Sequence, residues 1–209
     1  MNCDLELRNV ESHITNRQSP THRSAVLYPA FLKLAGRRVL VVGGGPVAAG
    51  KIAGLVASGA LVEVVAPDVR SEIERTGVVV HRREFRPADV EGAWYVIAAA
   101  PPDVNRQVLM AGEARQLFVN AVDDPDHATA YAGGVVRRHD VTIAISTGGR
   151  APAIAGLLRE AIDAWLPAHL DAWMTAADAA RREWKAQGIS MEERRPHLLQ
   201  VLNRLYEER

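Results

Sequence analysis

Residues 37–68 read RRVLVVGGGPVAAGKIAGLVASGALVEVVAPD, and this stretch decides the fold. Val39–Val42 is an apolar run rich in β-branched residues, which is typical of a strand buried on both faces of a parallel sheet. Three glycines follow, then a helical pattern from about Val47 to Ser58 and a second apolar run from Leu61 to Ala66. Strand, glycine turn, helix and strand within roughly thirty residues predict a βαβ unit, and with it an α/β fold built on a parallel sheet.

The glycines match a dinucleotide-binding fingerprint of the form G-x-G-x-x-A, with Gly43, Gly45 and Ala48 at the marked positions. Gly43 permits the tight turn, Gly45 lets a pyrophosphate approach the backbone, and Ala48 keeps the helix close to the sheet. The start of the helix, with Pro46 and Val47, offers unpaired N–H groups and a positive dipole end to the phosphates. We therefore predict that this turn binds a dinucleotide.

Three further residues are expected near the nucleotide, because ligands of open α/β sheets lie beyond the carboxyl ends of the strands. Pro67 and Asp68 follow the second predicted strand, and Asp68 is placed to accept hydrogen bonds from an adenosine ribose. An acid at that point favours NAD over NADP, although the nearby Arg70 weakens the preference. Ala99 lies near the end of a predicted strand over residues 94–100 and would contribute its backbone.

Composition excludes several classes of protein. The 209 residues contain 25 Lys plus Arg and 25 Asp plus Glu, so no global charge points to nucleic acid or to a membrane surface. Cys3 is the only cysteine, which excludes an intrachain disulfide and a cysteine metal cluster and fits a reducing cytoplasm. Residues 1–24 are polar, contain no apolar signal-peptide core, and are expected to form a mobile leader.

The end of the predicted strand over residues 117–122 is the second informative place. Asp123 follows it directly, and a carboxylate just past a strand end on the cofactor side of the sheet suits proton transfer. Asp-Asp-Pro is also an ordinary turn sequence, and aspartates often cap helices. From spacing alone, both a catalytic and a structural role for Asp123 stay open.

The composition changes after Val135. A strand is predicted over residues 141–146, then a Thr-Gly-Gly turn and a helix over residues 153–165. The turn is either a second anion cradle or a flexible connection. Two amphipathic helices are predicted over residues 168–187 and 191–206. Arg137, Arg138 and Arg150 form a local basic group, which is either a solvated face or a site that attracts a polycarboxylate.

Taken in order, these motifs resemble those of the precorrin-2 dehydrogenase family, the NAD-dependent module of siroheme biosynthesis. The resemblance extends from residue 28 to about residue 167. The matching segments are Tyr28-Pro29 with Phe31, Val39–Ala48, Val64–Pro67, Ala98-Ala99 with Asn105, Asn120–Asp123, and Ile143–Gly149 with Pro152.

The resemblance implies an activity: precorrin-2 passes a hydride to NAD⁺ and releases a proton, which gives sirohydrochlorin. Asp123 matches the aspartate that is most closely tied to the chemistry of the family, which implies a general base. The substrate carries many carboxylates, and no metal cofactor is implied. Substrate binding is therefore expected at Arg137, Arg138, Ser146, Thr147, Gly148 and Arg150.

The resemblance also implies an architecture of three parts after the leader. A Rossmann-type NAD-binding domain is expected over residues 25–131, a small strand-containing dimerisation segment over residues 132–160, and a helical domain over residues 161–209. The implied assembly is a homodimer with the active site in the cleft between domains.

One departure from the family pattern keeps two alternatives open. Where the family carries Phe-x-x-Pro followed by Ser or Ala, this chain has Tyr131-Ala132-Gly133-Gly134. A chain that has lost substrate binding there would be a non-catalytic NAD-sensing module. The other alternative is a bifunctional dehydrogenase and sirohydrochlorin ferrochelatase, in which Asp123 or His139 helps to exchange protons for the metal.

Overall fold

The computed structural model describes residues 27–122, 124 and 127–207. The chain divides after Leu32: residues 27–32 contain no helix or strand, and residues 33–209 are assigned to one compact unit. The predicted leader over residues 1–24 lies outside the described residues. No helix in the described part is both long enough and apolar enough to cross a membrane.

The first part of the compact unit is a five-stranded parallel sheet with the order β3-β2-β1-β4-β5. Its strands are Arg38–Val42 (β1), Leu61–Val65 (β2), Val79–His81 (β3), Tyr95–Ala98 (β4) and Phe118–Ala121 (β5). The connecting helices are Pro46–Ala57 (α1), Ser71–Glu74 (α2) and Pro102–Glu113 (α3), and a single 3₁₀ turn spans Pro87–Val90.

The apolar runs of the sequence form strands because helices cover both faces of the sheet. Val39 and Val41 pack with Ile52 of α1 on one face, and Leu40 packs with Val108 of α3 on the other; all five are fully buried. Alternate residues of one strand thus enter two separate cores, as a continuous apolar run requires. The predicted α/β fold with a Rossmann-type sheet is confirmed.

The second part begins with an antiparallel hairpin of two strands, Gly134–Arg138 (β6) and Val141–Ile145 (β7). Only the second of these strands was predicted, because Arg137 and Arg138 interrupt the apolar pattern of the first. Three helices follow, Pro152–Trp165 (α4), Leu170–Ala186 (α5) and Met191–Glu207 (α6). The small strand segment and the C-terminal helices agree with the expected order, and the domain boundaries at residues 131 and 160 stay predictions.

Arg38 holds the amino end of the sheet to the connection before β4. Its Nε and Nη2 atoms each donate to a carboxylate oxygen of Glu63 at 2.8 Å, and its Nη1 atom donates to the carbonyl oxygens of Asp89 (3.1 Å) and Glu91 (2.6 Å). The hydrogen bonds from Arg38 hold the pKa of the Glu63 carboxyl below its ordinary value of 4.5.

This arrangement predicts acid sensitivity. Because the pKa of Glu63 is lower in the folded chain than in the unfolded chain, its contribution to stability is complete above 4.5 and is lost as the pH falls through the lowered value. We expect the free energy of unfolding, measured with urea, to decrease between about pH 5 and pH 3. Glu63→Gln should flatten that decrease, whereas the same change at the exposed Glu84 should not. An equal slope in wild type and Glu63→Gln would contradict the prediction.

Candidate functional site

The glycine turn joins the carboxyl ends of three neighbouring strands. The N–H of Gly43 donates to the carbonyl oxygen of Val65 at 3.0 Å, and the N–H of Ala99 donates to that of Val42 at 2.8 Å. Gly43 has a φ of 122°, and a Cβ atom there would lie 2.1 Å from the Ala99 carbonyl oxygen. Only glycine fits this position, as the fingerprint predicts.

The start of α1 has open space where a ligand would approach. Gly45 precedes the helix, and a Cβ atom on it would meet no atom within 4 Å. Pro46 and Val47 in the first turn are exposed, the turn contains no acidic side chain, and no side chain caps it. Its N–H groups therefore face outward beside a backbone without a side chain, which fits a pyrophosphate.

The loop after β2 lies against the same turn. A Cβ atom on Gly44 would lie 2.0 Å from the Asp68 carbonyl oxygen, and the N–H of Arg70 donates to the Gly44 carbonyl oxygen at 3.0 Å. Gly44 is therefore as constrained as Gly43, which the fingerprint does not indicate, whereas Gly45 has space for a side chain. Pro67 and Asp68 are exposed beside it. The Arg70 guanidinium pairs with Glu72 at 2.7 Å.

A cavity of about 360 Å³ lies at the carboxyl end of β5. It is lined by Lys51 of α1, by Asn120–Val122, by residues 131–134, and by residues from the end of β7 and the start of α4, including Ile145–Thr147 and Pro152. Asp123, the predicted general base, follows Val122 in the chain but lies outside the described residues. The cavity wall thus contains the segment that departs from the family pattern.

Gly133 shows why that departure is compatible with the fold. A Cβ atom at Gly133 would lie 2.0 Å from the carbonyl oxygen of Ile145 in the paired strand. The backbone of residues 131–134 therefore reaches the hairpin more closely than a residue with a side chain allows.

Lys51 and Asn120 line the cavity, and sequence reasoning assigned neither of them a role in the site. Each of them has a sequence feature that could have indicated a role. Lys51 is three residues from the fully buried Ala48 and one from the fully buried Ile52, so it lies close to the buried stripe of α1. Asn120 is a polar residue within an otherwise apolar buried strand, and such a residue needs a specific partner.

The three arginines of the predicted basic group are separated. Arg138 donates to the carbonyl oxygens of Leu166 (2.7 Å) and Asp163 (2.8 Å) and to the Asp163 carboxylate (2.8 Å). Its guanidinium is therefore bound to the end of α4. This is contrary to the expectation that Arg138 is available to a substrate. Arg137, its neighbour in β6, is exposed and points to the opposite face of the hairpin. Arg150 is exposed in the connection to α4.

The Thr-Gly-Gly turn is ordered by its own side chains. The Ser146 hydroxyl accepts from the N–H of Gly148 at 3.2 Å, and the Thr147 hydroxyl accepts from the N–H of Ala151 at 3.3 Å. Ser146 and Thr147 line the cavity. These hydrogen bonds make the turn a structured connection into α4 rather than a flexible one, and the binding of an anion by this turn stays a prediction.

His139 lies away from the cavity. It occupies the turn between β6 and β7, with its Nε2 atom 3.9 Å from a carboxylate oxygen of Asp171 in α5. Within the part of the chain that the structure describes, no three His, Cys, Asp or Glu side chains are grouped so as to hold a metal ion. No observation on these residues therefore favours the bifunctional alternative.

Comparisons with known proteins identify the family of the chain. A family model described as putative NAD(P)-binding matches residues 30–134. The siroheme synthase of Photorhabdus laumondii is 38% identical over 180 residues, which are 84% of this chain and 38% of that protein. The siroheme synthase of Neisseria meningitidis serogroup C is 38% identical over 173 residues, which are 80% of this chain and 36% of that protein.

Among solved structures, SirC, a precorrin-2 dehydrogenase, matches with a TM-score of 0.68 and 27% identity over 84% of this chain and 89% of that chain. The chain belongs to the NAD(P)-binding family that the family model describes, and the predicted resemblance to precorrin-2 dehydrogenases is confirmed. NAD is the cofactor. The chain spans little more than a third of the length of the siroheme synthases it matches.

Proposed function

We propose that this chain catalyses the NAD-dependent dehydrogenation of precorrin-2 to sirohydrochlorin. The observation that carries the proposal is the position of the cavity: it lies at the end of β5, on the same edge of the sheet as the glycine turn, and it is lined by Val122, the residue that precedes Asp123 in the chain. The siroheme synthase relatives and the SirC match support the choice of substrate.

The proposed roles follow from the reaction, in which the macrocycle loses a hydride and a proton. When bound, NAD⁺ supplies the hydride acceptor. The glycine turn and the first turn of α1 hold its phosphates, and Asp68 accepts from a ribose. Asp123 accepts the proton as general base. For binding the carboxylates of the substrate, Arg137, Arg150, Ser146, Thr147 and Gly148 are proposed, of which Ser146 and Thr147 line the cavity.

The function is tested by anaerobic turnover. Precorrin-2 and NAD⁺ are mixed with the purified chain, and the absorbance of sirohydrochlorin is followed. We expect formation of sirohydrochlorin with one NADH per product. NAD binding without turnover would refute the proposal and would favour the non-catalytic alternative, with the Gly133-Gly134 segment as the first place to examine.

We propose further that the chain forms a homodimer through the segment of residues 132–160. Two observations support this. The β6–β7 hairpin is a sheet of only two strands, which is marginal on its own and leaves strand edges available for pairing. On α4, Ile154, Leu157 and Leu158 are 53%, 66% and 45% exposed, which is unusual for neighbouring large apolar residues on one helix. The expected cytoplasmic location stays a prediction.

Leu157→Glu is expected to convert the dimer into a monomer, because the carboxylate would be buried without a partner in the interface. The molar mass measured by light scattering during size-exclusion chromatography should fall by half. Met110→Glu is the matched control, since Met110 on α3 is 67% exposed and lies outside the proposed segment. A monomeric wild type, or a Leu157→Glu variant that remains dimeric, would contradict this interface.

A further inference from the structure

Asn120 lines the cavity and carries a buried acceptor atom that finds no donor among the described residues. The residue is 93% buried, its Nδ2 atom donates to the carbonyl oxygen of Ala130 at 3.0 Å, and its Oδ1 atom has no hydrogen-bond partner within the part of the chain that the structure describes. A carbonyl oxygen only accepts, so the bond to Ala130 fixes which end of the amide is the nitrogen. Leaving the oxygen unsatisfied would cost about 1–3 kcal/mol, which calls for a donor from a ligand.

Lys51 lines the same cavity, and it offers hydrogen-bond donors where Asn120 offers an acceptor. Its ammonium group carries donors only, and it makes no hydrogen bond or ion pair with the residues that the structure describes. It is five residues after Pro46, which is roughly 7.5 Å along the helix axis at about 1.5 Å per residue. The backbone of Lys51 therefore lies little more than one helical turn from the predicted pyrophosphate site.

A ligand group that satisfies both side chains must contain one acceptor and one donor. A carboxylate would suit Lys51 but would place its oxygens against the Asn120 oxygen, where two acceptors repel. A primary carboxamide offers a carbonyl oxygen to the ammonium and an N–H to Oδ1. NAD carries one such group, on its nicotinamide ring.

We propose that Lys51 and Asn120 bind the carboxamide of the nicotinamide: Lys51 donates to its carbonyl oxygen, and Asn120 Oδ1 accepts from its amide nitrogen. The inference rests on NAD as the cofactor but not on the identity of the substrate. Fixing the carboxamide fixes the rotation of the ring and hence the face that is presented to the hydride donor. The positive charge of Lys51 also favours the reduced ring, which is neutral, over the oxidised ring.

The test compares NAD⁺ with its acetylpyridine analogue, in which a methyl ketone replaces the carboxamide. The analogue keeps the carbonyl oxygen and loses the amide donor. Dissociation constants are measured by calorimetry, without substrate. Wild type should bind NAD⁺ about tenfold more tightly than the analogue, the effect of one lost hydrogen bond to a buried acceptor. In Asn120→Ala this ratio should fall to about one.

Lys51→Met should behave differently, because both nucleotides keep the carbonyl oxygen. We expect it to weaken NAD⁺ and the analogue about equally, by roughly fivefold, and to weaken NADH more than NAD⁺. Lys185→Met is the control: Lys185 is an exposed lysine of α5 outside the cavity, and its loss should change none of these constants.

Two results would overturn the proposal: an unchanged preference for NAD⁺ in Asn120→Ala, or unchanged binding in Lys51→Met. If Asn120→Ala does not fold, a measurement on the wild type still tests the proposal. NAD⁺ labelled with ¹⁵N in the carboxamide should show one amide proton shifted on binding by the new hydrogen bond, and two protons at their free positions would refute the proposal. Because none of these measurements involves precorrin-2, a failure here is distinct from failure of the proposed dehydrogenation.

Discussion

Asp123→Asn is expected to lower the turnover of precorrin-2 by about a hundredfold or more, the scale of general acid–base catalysis. Asparagine keeps the size and polarity of the side chain but cannot accept the proton that the macrocycle releases. The dissociation constant for NAD⁺ should stay within about twofold of wild type, because the glycine turn that we propose to bind the phosphates is unchanged. The measurement is the anaerobic rate of sirohydrochlorin formation at saturating NAD⁺.

The next residue supplies the matched control. Asp124 also carries a carboxylate, which lies 2.7 Å from the Nδ1 atom of His127, an exposed pair at the surface. Asp124→Asn should change turnover by no more than about threefold, since exposed pairs contribute little. Equal losses in the two variants would show that the segment needs its overall charge, and the role of Asp123 as the base would then be rejected.

Gly43→Ala is expected to cost about 3 kcal/mol or more in the free energy of unfolding and to abolish measurable NAD binding. A left-handed φ strains any residue other than glycine, and the added methyl group must displace the backbone carbonyl of Ala99, which cannot rotate away. Such a loss is a large part of the stability of an ordinary domain. Urea unfolding and calorimetric titration with NAD⁺ measure the two effects separately.

Gly50→Ala is the matched control, since it adds the same methyl group in the adjoining helix. Gly50 lies inside α1, is exposed, and a Cβ atom there meets nothing within 4 Å. The substitution should raise the free energy of unfolding by about 1 kcal/mol, the difference in helix propensity. A Gly43→Ala variant as stable as Gly50→Ala would show that the turn relaxes more easily than its geometry indicates.

The central sheet could be predicted because its signals are local. The apolar runs at β1, β2, β4 and β5 are each followed by a glycine, a proline or a polar turn. A strand whose side chains enter two cores is recognised from a continuous apolar run alone. The glycine fingerprint likewise depends on consecutive residues. Its prediction of Gly43 and Gly45 matches the geometry of the turn.

The cavity could not be predicted in the same way, because it forms between segments far apart in the chain. Lys51 and Asn120 line one cavity only because α1 packs on the sheet. No periodicity in either segment indicates that they share a site. Arg138, by contrast, was assigned to the substrate site because its charge grouped it with Arg137 and Arg150. Its partners are two backbone carbonyls and the Asp163 carboxylate at the end of α4, more than twenty residues later, and nothing in the sequence links these groups to Arg138.

Helix α1 contains two interior glycines, Gly50 and Gly54, each of which disfavours the helix by about 1 kcal/mol relative to alanine. The helix that we propose to bind the cofactor phosphates is thus expected to depend on its contacts with the sheet and on its ligand more than on its own helix propensity. By mass action, a ligand at a hundred times its dissociation constant adds about 2.7 kcal/mol to the folded state. The nucleotide pool of the cell therefore contributes to the lifetime of this protein: when NAD is scarce, more chains open and become accessible to proteases.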